Sequence, residues 1–278
     1  MKEVEEDFKY IIESDGKKLF DWREVWRCHE LFYFFTWRDI KIKYKQTVLG
    51  ILWALLQPLF MMAIFTLFFS RALKVPSQDL PYPVFVLSGL MIWNVFSTGL
   101  TNASNSMISN SLIIKKIYFP RLVIPVSSVL GAVFDFLVAF ILFIVILIVY
   151  KQSVSYHALW FWPGGLLVAF IATLGPGCLL AALNVKYRDF RYVIPFVIQV
   201  MLFLTPVIYP VSIVSSPLLK YIVAINPVYA AVELFRYPLI GSWSNISMLA
   251  VSLISGLIFL VVGLIYFRRT ENFFADFS

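Results

Sequence analysis

LVIPVSSVLGAVFDFLVAFILFIVILIVY, residues Leu122–Tyr150, carries one charged side chain, Asp135, in 29 positions. As an α-helix it would be about 43 Å long at 1.5 Å per residue, more than the roughly 30 Å of a bilayer's hydrocarbon core. A run this long with no polar face has no place on a soluble core, so lipid must be its solvent. Working outward, four more stretches read the same way: Val48–Phe69, Trp160–Val185, Val193–Val211 and Ile246–Phe267. Val84–Leu100 is shorter and continues into Ser, Thr and Asn residues. The expectation is an all-α membrane protein with six transmembrane helices.

Composition agrees. Of 278 residues, 60% are hydrophobic and 14% charged, against roughly a quarter charged in soluble domains. The net charge of +7 is unevenly placed: residues 1–40 hold ten acids and seven bases, residues 41–278 six acids and sixteen bases. No Lys/Arg face is concentrated enough to suggest nucleic acid. With both termini inside, the cytosolic flanks hold twelve bases, among them Lys41, Lys43, Lys45, Lys115, Lys116, Arg121, Lys186 and Arg188. The other side holds five, namely Arg71, Lys74, Lys151, Lys220 and Arg236. That asymmetry places both termini in the cytosol. The segment from Met1 to Asp7 has no apolar core, so the first span is expected to do the targeting.

Three regions follow: 1–47, a cytosolic N-terminus; 48–267, the six-span domain; and 268–278, a cytosolic tail. In the first, Trp22, Val25, Trp26, Phe32, Tyr33 and Trp37 recur at helical spacing, with Arg23, Arg27, Glu30, Arg38 and Lys41 pointing elsewhere. That pattern suits an amphipathic helix in the membrane interface, or one packed on a cytosolic partner. Between the fifth and sixth spans, residues 212–244 are apolar in patches but broken by Pro217, Pro227 and Pro238. Two short helices dipping into the outer leaflet fit best, because proline removes a donor that lipid cannot replace.

Catalytic chemistry is sparse. His29 and His157 are predicted on opposite sides, Cys28 and Cys178 are far apart, and no phosphate-binding GxxxxGK[ST], GxSxG or HExxH motif occurs. No metal site is expected. The informative polar residues lie in or near the membrane. Asp135, inside the third span, is either a functional group or bonded to a Ser, Tyr or Arg of a neighbouring helix. Glu233 and Arg236, at i and i+3 in the broken outer segment, could pair. Asn94, Thr98, Thr101 and Asn105 form a polar stripe beside Trp93, for interhelical bonding or for a transport path. The proline-bent Phe196–Tyr209 stretch, with Phe196, Phe203 and Tyr209, is a second candidate lining. Gly175-Pro-Gly and Pro195, Pro206 and Pro210 indicate bends, as packing kinks or as hinges. In the acid-free loop 102–120, Met107, Ile108, Leu112 and Ile113 with Lys115 and Lys116 could form a short helix that docks on a soluble partner or lies on the membrane.

Several motifs then stand together in order: KYKQTVLGILWALLQP (43–58), NSLIIKKIYFPR (110–121), LNVKYRDFRYVIP (183–195), TPVIYP (205–210), NPVY (226–229) and ELFRYP (233–238). From Lys43 to Phe267 the chain resembles the permease subunit of ABC-2-type polysaccharide exporters, the group of O-antigen (Wzm-like), capsular and wall teichoic acid permeases. The resemblance implies a homodimer in the cytoplasmic membrane, bound to two copies of a separate ABC ATPase that holds ATP and Mg. It implies outward export of a lipid-linked polysaccharide, with O-antigen the closest reading. It also implies a coupling helix before Tyr118, gate helices within 212–240, and no cofactor in this chain. The rivals are another ABC-2 substrate such as a drug or lipid, a secondary transporter relaying through Asp135, and a membrane glycosyl- or acyltransferase.

Overall fold

The computed structural model describes residues 29–45, 47, 49–117 and 119–271. Trp22, Val25, Trp26 and Cys28 lie outside the described residues. The elements, in chain order, are α1 (His29–Lys45), α2 (Leu52–Phe65, running on as a π-helical Thr66–Ala72), α3 (Tyr82–Ser109), α4 (Ser111–Lys116), α5 (Val123–Val149), α6 (Ala158–Lys186), α7 (Phe190–Leu204), α8 (Pro217–Ile225), α9 (Pro227–Ile240) and α10 (Ile246–Thr270). Among the described residues, five helices are long and apolar enough to cross a membrane: α2 with its π-helical extension, α3, α5, α6 and α10. The pair α8–α9 is bent by 91°, the form of a broken span or a re-entrant loop, and counted as one span it makes six. All the described regular structure is helical, and the chain is a multi-pass membrane protein.

Helix α3 is the axis. Most of its surface is buried, including Phe85, Leu87, Met91, Trp93 and Phe96, and α5 and α6 flank it. It runs nine residues beyond the Leu100 at which the hydrophobic reading stopped. In the added turns polar side chains find partners on the helix itself: Thr101 Oγ1 donates to the Ser97 carbonyl at 2.7 Å and Asn105 Nδ2 to the Thr101 carbonyl at 2.9 Å. The helix therefore takes in Met107, which is fully buried.

Small residues set the closest crossings. Helices α6 and α10 touch backbone to backbone at Gly175 and Gly263, where a Cβ on Gly263 would stand 2.0 Å from the Gly175 oxygen. Without a hydrophobic force between helices in lipid, such close packing is what holds them. Gly175 thus serves contact, and α6 stays helical through Pro163 and Pro176. Outward faces are apolar stripes, such as Leu137, Ile141, Val145 and Ile148 on α5, as a lipid-facing surface requires. Aromatic rings fill the core near the α8–α9 end: Phe143 lies 5.5 Å from Phe235 and Phe140 5.2 Å from Trp162.

The fifth span differs from expectation. In place of a helix over Val193–Val211, α7 stops at Leu204, after 15 residues. That is about 22 Å of helix, short of the roughly 30 Å core. Pro206 is the cause: it forces Thr205 into extended backbone (φ −86°, ψ 133°). The freed carbonyls are capped from other helices. Tyr82 donates to the Ile208 oxygen at 2.8 Å, and Arg236 donates to the oxygens of Pro206 and Val207, each at 2.7 Å. Non-helical backbone at this depth persists only when protein satisfies it.

Candidate functional site

A groove of about 700 Å³ lies between α1, α3, α4 and α5. Polar residues of α3 form one wall: Thr98, Thr101, Asn102, Asn105 and Ser109. Arg38, Ile42 and Lys43 of α1 form the other, and Gly131 and Asp135 of α5 the floor. A smaller cavity adjoins it toward the bundle centre, lined by Gln57, Asn94, Thr98, Lys43, Tyr44 and Asp135. The two share Lys43, Thr98 and Asp135, so they form one polar run along α3.

Asp135 is the pivot. Its carboxylate accepts hydrogen bonds from Lys43 Nζ and from the Tyr44 hydroxyl, both on α1. Its side chain is 19% exposed and that of Lys43 48%, so the pair sits at the groove edge. Burial, followed by the hydrogen bond and the charge of Asp135, pushes the Tyr44 phenol above its usual pKa, so it stays a donor. The reading of Asp135 as bonded to a neighbouring tyrosine matches this geometry. What the sequence did not indicate is that the partner helix is α1, which packs along α5. Helix α1 also exposes Tyr33, Phe34 and Trp37, and Ile42 within the groove.

Removing the carboxylate should loosen α1. We expect Asp135→Leu to speed proteolysis and hydrogen exchange across residues 29–45, because Lys43 loses its counter-charge. Lys43→Met combined with Asp135→Leu should recover most of the protection, with a coupling of about 1 kcal/mol for this half-exposed pair. Strictly additive single effects would contradict the clamp.

The other sequence candidates are dispersed. Asn94 and Thr98 line the cavity, but Trp93 does not. It is 5% exposed and packs on Phe96 at 5.4 Å in the core. Phe196 and Phe203 lie on the face of α7 turned away from the rest of the chain, 65% and 61% exposed, and Tyr209 donates to the Phe203 oxygen at 2.9 Å. One chain therefore does not bring the α3 stripe and the α7 rings together. At the α4 end, Met107 is buried, whereas Leu112, Lys115 and Lys116 are exposed. Ile117, not singled out from the sequence, joins them at 62%. Ile108 and Ile113 are half-buried.

Glu233 and Arg236 do not form the expected i,i+3 contact. Arg236 is 2% exposed. Besides Pro206 and Val207, it donates to the Phe85 carbonyl at 3.0 Å and to Ser88 Oγ at 3.3 Å, with its guanidinium 3.7 Å from the Phe85 ring centre. Glu233 accepts from the Ser244 hydroxyl at 3.0 Å and the Ser244 amide at 3.4 Å. A second network fixes the elbow between α8 and α9. Asn226 Nδ2 donates to Thr205 Oγ1 at 2.6 Å, and Ser252 Oγ of α10 donates to the Asn226 carbonyl at 2.7 Å. Neither network follows periodicity, since each joins residues far apart in sequence.

Comparison with known proteins bears on this arrangement. The family model described as ABC-2 type transporter matches residues 30–240. The chain belongs to the ABC-2 type transporter family. Within this ABC-2 chain the match begins inside α1 and ends with α9, so it contains the groove and the bent pair. An O-antigen export system permease protein RfbA of Klebsiella pneumoniae is 30% identical over 241 residues, 87% of this chain and 92% of that protein. A Myxococcus xanthus protein of the same name is 28% identical, covering 77% of this chain and 82% of that one. The polysialic acid transport protein KpsM of Escherichia coli is 22% identical, covering 84% and 91%.

Proposed function

We propose that this chain is the membrane-spanning permease of an ATP-driven exporter that moves lipid-linked polysaccharide, O-antigen in the first instance, outward across the cytoplasmic membrane. The observation that carries it is 30% identity to an O-antigen export permease along nearly the full length of both chains. Similarity to a polysialic acid transporter keeps capsular polymer as the second reading. A secondary transporter would need a free relay, and Asp135 is already held by Lys43 and Tyr44.

In this reading two copies associate with two copies of an ABC ATPase, which binds ATP and Mg. Both termini are cytosolic, with α7 and the non-helical stretch after it making the sixth crossing, as the twelve-to-five bias of basic residues favours. The α4 end then meets the ATPase through Leu112, Ile113, Lys115, Lys116 and Ile117, and α8–α9 forms the outer gate. A polymer longer than the membrane is thick needs a continuous conduit between the copies. The outward-turned Phe196 and Phe203 suit its wall, because weak, replaceable contacts let a sugar chain slide.

Co-expression with a candidate ABC ATPase subunit from the same genome tests this assembly. The chain alone should show no ATP turnover, and the pair should co-purify. Leu112→Asp should lower polymer-dependent turnover about tenfold, as an interface anchor would. A cysteine at Lys115 should label only from the cytosol and one at Tyr156 only from outside. ATP turnover by the permease freed of its partner, or Lys115 labelled from outside, would overturn the scheme.

A further inference from the structure

The groove between α1, α3 and α5 has a chemistry that the exporter reading does not by itself specify. We propose that it is a saccharide-binding site that reads sugar hydroxyls rather than the phosphate of a lipid carrier. This rests on the exporter reading and names what one part of the permease recognises.

The argument begins with which hydrogens are free. Along the α3 wall, Thr101 Oγ1 donates to the Ser97 carbonyl, Asn105 Nδ2 to the Thr101 carbonyl, Ser106 Oγ to the Ala103 carbonyl at 2.6 Å, and Asn110 Nδ2 to the Ser106 carbonyl at 2.8 Å. Hydroxyl hydrogens turned into the helix leave oxygen lone pairs turned outward. Asn105 Oδ1 is itself taken, by Asn184 Nδ2 at 3.1 Å, so the wall offers the Thr101 oxygen as an acceptor beside the amide and hydroxyls of Asn102, Thr98 and Ser109, an uncharged, mixed set that matches sugar hydroxyls, which both donate and accept. The cations nearby are already neutralised. Arg38 donates through Nε and Nη2 to Asp39 Oδ1 at 3.0 and 2.7 Å, and Lys43 is paired with Asp135. Each cation thus enters the groove as half of an ion pair, with little net positive charge to attract a phosphate.

Size and reach agree. A volume of about 700 Å³ falls within the roughly 300–1,000 Å³ of ligand sites. From Thr98 to Ser109 the ladder rises about 16 Å, so it offers contacts to successive sugar units. An acyl chain is a poor occupant, since burying the Asn102 amide and the Thr98 and Ser109 hydroxyls against hydrocarbon leaves them unpaired.

The test uses the permease in complex with its ATPase, stalled before hydrolysis by replacing the ATPase's catalytic carboxylate. Membranes come from cells that make the polymer and from cells blocked at its first sugar transfer. The permease carries Asn102→Cys with Cys28→Ser; Cys178 is fully buried and stays. Asn102 is exposed in the groove, so the change does not threaten folding. Polymer should co-purify, and maleimide labelling of Asn102→Cys should be about tenfold slower when polymer is present, an occupancy effect worth about 1.4 kcal/mol. Tyr156→Cys at the opposite end should label equally in both membranes. Polymer stripped of its lipid carrier should also protect, and inorganic pyrophosphate should not. Polymer that co-purifies without protecting Asn102→Cys overturns the groove assignment alone, as does protection by pyrophosphate. Failure of polymer to co-purify overturns the exporter reading together with it.

Discussion

Gly263→Ala should lower the apparent melting temperature of the detergent-solubilised permease by roughly 6–12 °C, the shift that about 3 kcal/mol produces in a chain of this order of size. The added methyl would meet the Gly175 oxygen at 2.0 Å and its carbonyl carbon at 2.7 Å. Both obstacles are backbone, so no rotamer change relieves the clash and α6 must move away from α10. Gly175→Ala should behave the same way, its Cβ meeting the Leu260 nitrogen at 2.5 Å. Gly131→Ala and Gly164→Ala, with nothing within 4 Å, are the controls and should leave the transition in place. Equal transitions for Gly263→Ala and Gly131→Ala would show that the α6–α10 contact is looser than described.

Arg236→Met is the second large effect. It strips donors from the Phe85, Pro206 and Val207 carbonyls in a buried site where Arg236 itself is 2% exposed. Breaking a buried charged centre of this kind costs about 3–5 kcal/mol. The loss should be local first: amide exchange over residues 205–209 should rise well before the bundle unfolds. Arg236→Lys keeps the charge but not the planar fork that reaches separate carbonyls, and should fall between. Gly89→Ala should mimic part of the effect, because its Cβ would stand 2.5 Å from Arg236 Nη2. If residues 205–209 exchange no faster in Arg236→Met, the guanidinium does not hold that segment.

How far the sequence was legible depended on whether a residue's fate is set by its neighbours in the chain. The α5 stretch could be read because one charge in 29 residues leaves a single solvent for it. Pro206 was visible as a bend, but whether a helix resumes after it depends on who caps the freed carbonyls. The answer is Arg236, thirty positions along. For Trp93, the neighbouring Asn94 rightly argued against lipid, yet core and conduit both satisfy that argument, and packing by α5 and α6 decides for the core. Met107 was read as a docking residue because it was placed in a loop over 102–120. The helix instead runs on to Ser109 and buries Met107. Asp135 needed a partner, and tyrosine was among those expected, but the ion pair with Lys43 was not. The groove was legible only in part: the α3 stripe showed, but the α1 wall did not, since α1 was expected in the interface plane.

The most direct measurement is where the polymer lies in cells that lack this chain. With the gene deleted and synthesis intact, polymer should accumulate on its lipid carrier in the cytosol, reachable by a glycan-specific probe only after the inner membrane is opened. Restoring the chain should return it to the outer side. Polymer that still reaches the cell surface at an undiminished rate in the deletion strain would contradict the assignment of this chain as its permease.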